Sequence, residues 1–343
     1  IYPLSLHDAL PICVKSKMSF IEVKQISKTF KVAKKKSGLK ESIKSFFKRE
    51  FIDVKAVEDI SFSIEKGEIV GYIGPNGAGK STTIKILSGI LVPDSGQCKI
   101  NNMTPWKDRV KYVKKIGVVF GQRSQLWWDI PAEDTFDLLK DIYEIPEKEY
   151  LETKEDLVKK LNLQDIINIP VRQLSLGQRM RCEIAASLLH NPELLFLDEP
   201  TIGLDAVSKQ VVRDFIKKLN KEKKTTVILT SHDMADITSL AKRIILIGKG
   251  HVLYDGSLRK LQNKYETEKY VSIKTNDKLT IRNKGVISKT KTKEGYDLVI
   301  DTRDISISEL LNNISKKITI EDIEIDHEGI DNIIVKLYED YKI

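Results

Sequence analysis

Gly74-Pro75-Asn76-Gly77-Ala78-Gly79-Lys80-Ser81 follows the spacing G-x-x-x-x-G-K-[ST]. In that pattern the glycines let successive backbone N–H groups curl around phosphate oxygens, the lysine reaches the outer phosphates, and the Ser or Thr hydroxyl meets Mg²⁺. The flanks decide whether the match counts. Upstream, Glu68-Ile69-Val70-Gly71-Tyr72-Ile73 reads as a buried strand. Downstream, Ser81-Thr82-Thr83-Ile84-Lys85-Ile86-Leu87 opens a helix, so phosphates would rest on a helix N-terminus. A strand, a glycine-rich loop and a helix in that order are what separate a phosphate cradle from an ordinary turn.

Two further stretches extend the constellation. Leu194-Leu195-Phe196-Leu197-Asp198-Glu199 is a buried strand that ends in two carboxylates, at the strand edge where an open α/β sheet binds its ligand. Asp198 suits Mg²⁺, directly or through water, and Glu199 can polarise a water for attack on a γ-phosphate. Taken alone, an Asp-Glu pair merely ends a strand; it gains meaning from the cradle 118 residues earlier. Leu174-Ser175-Leu176-Gly177-Gln178 is a helix start with Ser175 as N-cap, leaving first-turn N–H groups free to face an anion. A second anion cradle could close over the same phosphate from another copy of the chain, giving a two-fold pair with two sandwiched nucleotides.

Composition bounds the rest. At 343 residues the chain is long enough for two or three units of about 100–200 residues. Cys13, Cys98 and Cys182 are scattered, without the spacing of a disulfide framework or a zinc site, which points to a reducing compartment. No run approaches the roughly 18 apolar residues of a membrane span, so a membrane role would come through a partner. Residues 1–50 hold twelve Lys and Arg against four Asp and Glu, which accounts for the whole net charge of +8. A nucleic-acid binder would spread basic residues over a working face; no nucleic-acid partner is expected.

Residues 1–17 are set aside: Leu4 to Ile12 resembles a translated oligonucleotide adaptor, and Met18-Ser19-Phe20 looks like a natural start. Residues 19–32 read as an edge strand and turn. A basic amphipathic helix is expected within 34–51, with Leu39, Ile43, Phe46, Phe47 and Phe51 as its stripe. It would meet a membrane surface or membrane partner, or pack on its own domain. Residues 54–73 read as two strands about a tight turn, and 116–122 as a strand ending at Gln122. Residues 130–175 form a helical subdomain, and strands at 225–230 and 243–248 complete a mostly parallel sheet. Beyond 262 the residues 263–343 read as a small α+β unit without visible chemistry, with strands at Tyr270–Lys274, Asp297–Asp301 and Ile318–Asp326 and helices at Ser306–Ile314 and Ile330–Tyr341.

Taken together, Gly74–Ser81, Gln122, Leu174–Gln178, Leu194–Glu199, Gly203-Leu204-Asp205 and His232 resemble the Walker A, Q-loop, signature, Walker B, D-loop and H-switch motifs of an ATP-binding-cassette (ABC) ATPase, in family order over roughly 19–260. The resemblance implies an α/β fold of the P-loop NTPase type, a cassette at 18–262 with a mostly parallel core sheet, an antiparallel β subdomain and a helical subdomain. It implies ATP and Mg²⁺ as cofactors. Phe30 would stack on adenine, with Gly74, Pro75, Asn76, Gly77, Ala78, Gly79, Lys80, Ser81 and Thr82 around the phosphates. Ser81, Gln122 and Asp198 would serve the metal, and Lys80, Glu199, Gln122 and His232 the reaction. Ser175, Gly177 and Gln178 would reach the nucleotide of the opposite subunit, with Asp205 coupling the two sites. The usual signature has two consecutive glycines, and here the first is Leu176.

Within the family the chain looks like the ATPase subunit of exporters whose permease is encoded separately, working as a homodimer and peripherally on the cytoplasmic face of a bacterial membrane. Trp127 and Trp128, just after the Q-loop, would receive the permease, or else pack the base of the helical subdomain. A ribosome-associated ATPase is the alternative, but such chains carry two cassettes and this one carries one set of motifs. A DNA-associated ATPase is another, but would need long coiled coils between motifs.

Overall fold

The structure, a computed structural model, describes residues 19–33, 51–121, 124–265, 268–281, 284–327 and 329–341. The extension at 1–17, the basic stretch at 34–50 and Gln122 lie outside the described residues.

In chain order the elements are β1 (Ile21–Ala33), β2 (Phe51–Ile64), β3 (Ile69–Ile73), α1 (Lys80–Leu87), β4 (Ser95–Ile100), α2 (Arg109–Val113), β5 (Ile116–Phe120), α3 (Ala132–Tyr143), α4 (Glu147–Lys160), α5 (Leu176–Ala186), β6 (Leu194–Asp198) and α6 (Ala206–Lys223). They continue with β7 (Thr226–Thr230), α7 (Met234–Leu240), β8 (Arg243–Gly248), β9 (His251–Ser257), α8 (Leu258–Tyr265), β10 (Glu268–Lys274), β11 (Val286–Lys291), β12 (Gly295–Asp301), α9 (Ile307–Ser315), β13 (Asp322–His327) and α10 (Ile330–Asp340).

The central sheet runs β5-β6-β7-β3-β8-β9, parallel except for β9. Its parallel strands are near-continuous apolar runs because both faces are covered, whereas the edge strand β9 is half-buried and mixed. Alternate residues serve opposite cores. Phe196, Ile228 and Ile245 face the side covered by the β2-β1-β4 sheet and α1, while Leu195, Leu197, Val227, Leu229, Ile244 and Leu246 face the helices. Each such side chain, fully buried, contributes about 1.5–3 kcal/mol.

Several expectations are corrected here. The strand expected at an edge near residues 19–32 is β1, the middle strand of the antiparallel sheet, pairing with β2 on one side and β4 on the other. A bulge at Gln25, at φ 52, breaks its alternation. Phe51, expected on a helix, opens strand β2 and is exposed. The helix from Ser175 ends at Ala186 rather than His190, with Ser187 as C-cap. The last accessory strand starts at Asp322, not Ile318.

The accessory sheet is antiparallel, β11-β12-β10-β13, with a separate core of Val271, Ile273, Leu298, Ile300, Leu310 and Ile314. Helix α10, expected to share that unit, buries Ile330, Ile333, Ile334 and Leu337 in the cassette's helical core instead. The hydroxyl of Tyr341 donates to the carbonyl of Leu253 at 3.1 Å.

Candidate functional site: a nucleotide cradle and two carboxylates

The loop between β3 and α1 takes its shape from glycine. Gly79, the N-cap of α1, has φ 105, and a Cβ there would lie 2.3 Å from the carbonyl oxygen of Ala56. No L side chain suits that backbone or that space. Gly77, at φ 78, faces open space. Lys80 is buried, and its Nζ donates to the carbonyls of Gly74 at 2.6 Å and Pro75 at 3.1 Å. The ammonium thus lies across the mouth of the loop. Burial lowers its pKa first, and Glu199 and Asp198 pull it back up.

Ser81, Gly121, Asp198 and Glu199 line a cavity of about 250 Å³ together with Lys85 and Phe120. The sheet order explains the meeting: β6 and β3 flank β7, so their carboxyl ends open on one edge. Asp198 Oδ1 accepts from the Thr230 hydroxyl at 2.6 Å, and its carbonyl accepts from the Gly121 N–H at 2.8 Å. Glu199 leaves the strand in the left-handed region, at φ 57, its N–H donating to Thr230 Oγ1 at 3.0 Å. That turn carries the carboxylate to His232, whose Nε2 lies 2.8 Å from Glu199 Oε1. Both residues also line a second cavity, of about 270 Å³, with Thr201, Gly203, Lys209 and Asp233.

The signature segment stands apart from these cavities and lines neither. Ser175 caps α5 in a reciprocal capping box: its Oγ accepts from the Gln178 N–H at 3.2 Å, and Gln178 Oε1 accepts from the Ser175 N–H at 2.8 Å. Of the first-turn N–H groups expected to be free, that of Gln178 is therefore taken by the cap. Gly177 packs on the start of α6, where a Cβ would lie 2.4 Å from Ser208 Oγ. Asp205 caps α6, accepting from the Ser208 N–H at 2.9 Å and its hydroxyl at 2.7 Å, which lowers the carboxyl's pKa. Leu176 reaches Gly203, at φ 70: a Cβ there would sit 2.9 Å from Leu176 Cδ2. Phe30 is half-buried on β1 opposite Val54, with Lys28 Nζ 5.8 Å from its ring centroid. Thr82 is half-buried in the first turn of α1.

Three residues carry more of the site than their sequence suggests. Thr230 holds the Asp198 carboxylate and the backbone N–H of Glu199, Asp236 collects the loops behind them, and Glu183 on α5 is a buried carboxylate that accepts from the Ser124 hydroxyl and the Gln125 N–H, the latter at 3.1 Å. A polar residue closing an apolar strand, as Thr230 does, is a readable signal. A carboxylate on the buried face of a helix, as at Glu183, is another. Trp127 and Trp128 are both more than half exposed, and Arg179 stacks over Trp128 at 5.6 Å. This favours an outward surface over the packed base of the helical subdomain.

A glycine-rich phosphate loop on a helix N-terminus, with two carboxylates and a histidine at the carboxyl edge of one parallel sheet, defines a P-loop nucleotide hydrolase. The chain belongs to the ABC transporter family, whose model matches residues 57–202. It is 36% identical over 216 residues to the ABC transporter ATP-binding protein NatA of Bacillus subtilis, covering 63% of this chain and 86% of NatA. It is 32% identical over 318 residues to the methionine import ATP-binding protein MetN of Lactobacillus delbrueckii subsp. bulgaricus, covering 89% of this chain and 82% of MetN. Among solved structures, it resembles the dimeric post-hydrolysis state of the ATP-binding cassette MJ0796 bound to ADP and Pi. There the TM-score is 0.58 and the identity 29%, over 70% of this chain and 99% of that one. The chain is an ATP-hydrolysing, nucleotide-binding subunit of an ABC transporter.

Proposed function

We propose that this subunit works as a homodimer that closes on two ATP molecules and drives a separately encoded permease, and that Glu199 is the base of the hydrolytic step. The observation that carries the reading is the 2.8 Å contact of Glu199 with His232 beside a cavity shared by Ser81 and Asp198. In this reading the Gly74–Ser81 N–H groups and Lys80 hold the phosphates. Glu199 takes the proton of a water that attacks the γ-phosphorus; the bond from γ-phosphorus to the bridging oxygen breaks and ADP leaves with that oxygen's charge. His232 donates to Glu199 or to the phosphate, orienting both. Phe30 supplies a face for the adenine.

Mg²⁺ fits the residues present. The Ser81 hydroxyl and the Asp198 carboxylate are hard oxygen donors on one cavity, and no group of three or more metal-ligating side chains gathers among the described residues. Few protein ligands plus substrate phosphates and waters suit Mg²⁺. When bound, the ion neutralises charge on the β- and γ-phosphate oxygens. Gln122 is assigned to the same ion and the attacking water.

Ser175, Gly177 and Gln178 are assigned to the nucleotide of the opposite subunit, because they line neither cavity of their own chain. The cytoplasmic-face, peripheral placement is supported by the transporter relatives; no helix among the described residues is long and apolar enough to cross a membrane. Trp127 and Trp128 supply an exposed aromatic surface for the permease. Export is the direction favoured by the likeness of the insert at residues 34–51 and of residues 122–129 to exporter ATPases. A second reading, import, is favoured by one observation: the match to MetN runs through 89% of this chain, beyond the cassette.

The test is Mg²⁺-dependent phosphate release together with ATP-dependent dimerisation of Glu199→Gln in sedimentation. A dimer that forms with ATP and does not turn over supports the reading; near-normal turnover sinks the role of Glu199. Loss of permease co-purification in a Trp127→Ala, Trp128→Ala pair supports the docking surface.

A further inference from the structure

Asp236 is fully buried in the first turn of α7, yet its carboxylate is fully partnered. Oδ2 accepts from the hydroxyl of Thr201 and from that of Ser231, the latter at 3.0 Å. Oδ1 accepts from Arg213, whose Nε lies at 2.6 Å and Nη2 at 2.5 Å. A carboxylate in the interior persists only when paired and hydrogen-bonded in this way.

The three donors come from three different functional segments. Thr201 lies two residues beyond Glu199, Ser231 immediately precedes His232, and Arg213 projects from α6, the helix capped by Asp205. Ser231 Oγ also accepts from the Asp233 N–H at 3.0 Å, and Asp233 pairs with Lys209 of α6 at 2.5 Å. The loops that carry Glu199 and His232 are thus held to one carboxylate and, through Arg213, to α6. None of the hydrogen bonds of Asp236 reaches residues 74–81.

We propose that Asp236 is a positioning residue that sets the separation of Glu199 from His232 and registers that pair against α6, so that it governs turnover and leaves ATP affinity alone. It acts through Thr201, Ser231 and Arg213 and touches no nucleotide itself. The proposal rests on the assignment of Glu199 to the hydrolytic step. A strut of this kind matters because displacing a reacting group by about 1 Å can lower a rate about 100-fold.

The experiment compares Thr201→Val, which removes one donor, with Thr201→Ser, which keeps the hydroxyl, and adds Asp236→Asn and Glu199→Gln. Each is measured for kcat, KM for ATP, ATP binding and Tm. Thr201→Val should lower kcat about tenfold with KM and ATP binding unchanged, Thr201→Ser should restore it to within about twofold, and Asp236→Asn should lose about 10- to 100-fold. Should Asp236→Asn not fold, the two Thr201 variants decide alone. The proposal is overturned if folded Thr201→Val keeps the wild-type kcat, if Thr201→Ser fails to restore it, or if kcat and ATP affinity fall together with Tm. An inactive Glu199→Gln beside an unaffected Thr201→Val defeats the strut alone. An active Glu199→Gln defeats the assignment of Glu199 and the strut with it.

Discussion

Glu199 Oε1 and His232 Nε2 stand 2.8 Å apart, at the exits of the neighbouring parallel strands β6 and β7. The left-handed backbone of Glu199, at φ 57, makes the meeting possible; a strained residue at a site is held there by its surroundings. Replacing the carboxylate by its amide keeps the shape and removes the base. Glu199→Gln should therefore bind ATP normally and lose about 10²- to 10⁴-fold in turnover, as read by nucleotide binding and phosphate release.

The phosphate loop should not tolerate a single methyl group at Gly79. At Gly79 a Cβ would meet the Ala56 carbonyl at 2.3 Å on a backbone at φ 105. Gly79→Ala is expected to cost about 1–3 kcal/mol of stability and to abolish ATP binding, whereas Gly77→Ala, with open space beside it, should bear only the backbone strain. Thermal unfolding and ATP titration of the two variants side by side check this.

Leu176 and Gly203 should behave as a coupled pair. Gly203→Ala places a methyl group 2.9 Å from Leu176 Cδ2, and overpacking of this kind costs about 1–3 kcal/mol. Leu176→Gly removes the obstacle and returns the signature to the commoner two-glycine form. A double-mutant cycle on ATPase activity and Tm should show the second change relieving the first by more than about 0.5 kcal/mol. Strict additivity would show that Leu176 does not restrain the D-loop.

Glu183 gives a pH signature. Burial raises its pKa, and the bonds from Ser124 and Gln125 offset this only in part. A carboxyl whose folded pKa lies above its unfolded value binds more protons folded than unfolded in the window between the two, so stability falls there as pH rises. Glu183→Gln should flatten the fall in unfolding free energy above the ordinary glutamate pKa of 4.5. Glu183→Ala should instead lose about 1–3 kcal/mol at every pH, because the Gln125 N–H is left unpartnered, whereas the Ser124 hydroxyl keeps the carbonyl of Leu126 at 3.2 Å. Denaturant melts from pH 4 to about 8 distinguish the two.

The parallel sheet and the phosphate loop were legible because local chemistry dictates them: apolar runs ending at Ile73, Asp198 and Thr230, and glycines where φ must be positive. The place of β1 was not, because a strand's neighbours are set by pairing with β4, seventy-odd residues away, rather than by its own alternation. Strand β11, Val286–Lys291, was also missed; it is a polar sheet edge, exposed through most of its length, and carries no apolar period. Asp236 was not legible for a further reason. It is an ordinary polar residue whose weight appears only when the loops after two strands and the helix α6 are brought to it.

Helix α10 gives the accessory sheet two roots. The chain leaves the cassette through α8, whose Leu258 and Leu261 are buried in the helical core, crosses β10 to β13, and comes back to bury Ile330, Ile333, Ile334 and Leu337 in that same core. The sheet is therefore less a tail than a handle fastened at both ends, and a shift in either root bears on the helices that carry Ser175 and Asp205. Cutting the chain after α8 would not simply shorten it. It would strip the cassette of part of its interior and leave an oily trench on its surface.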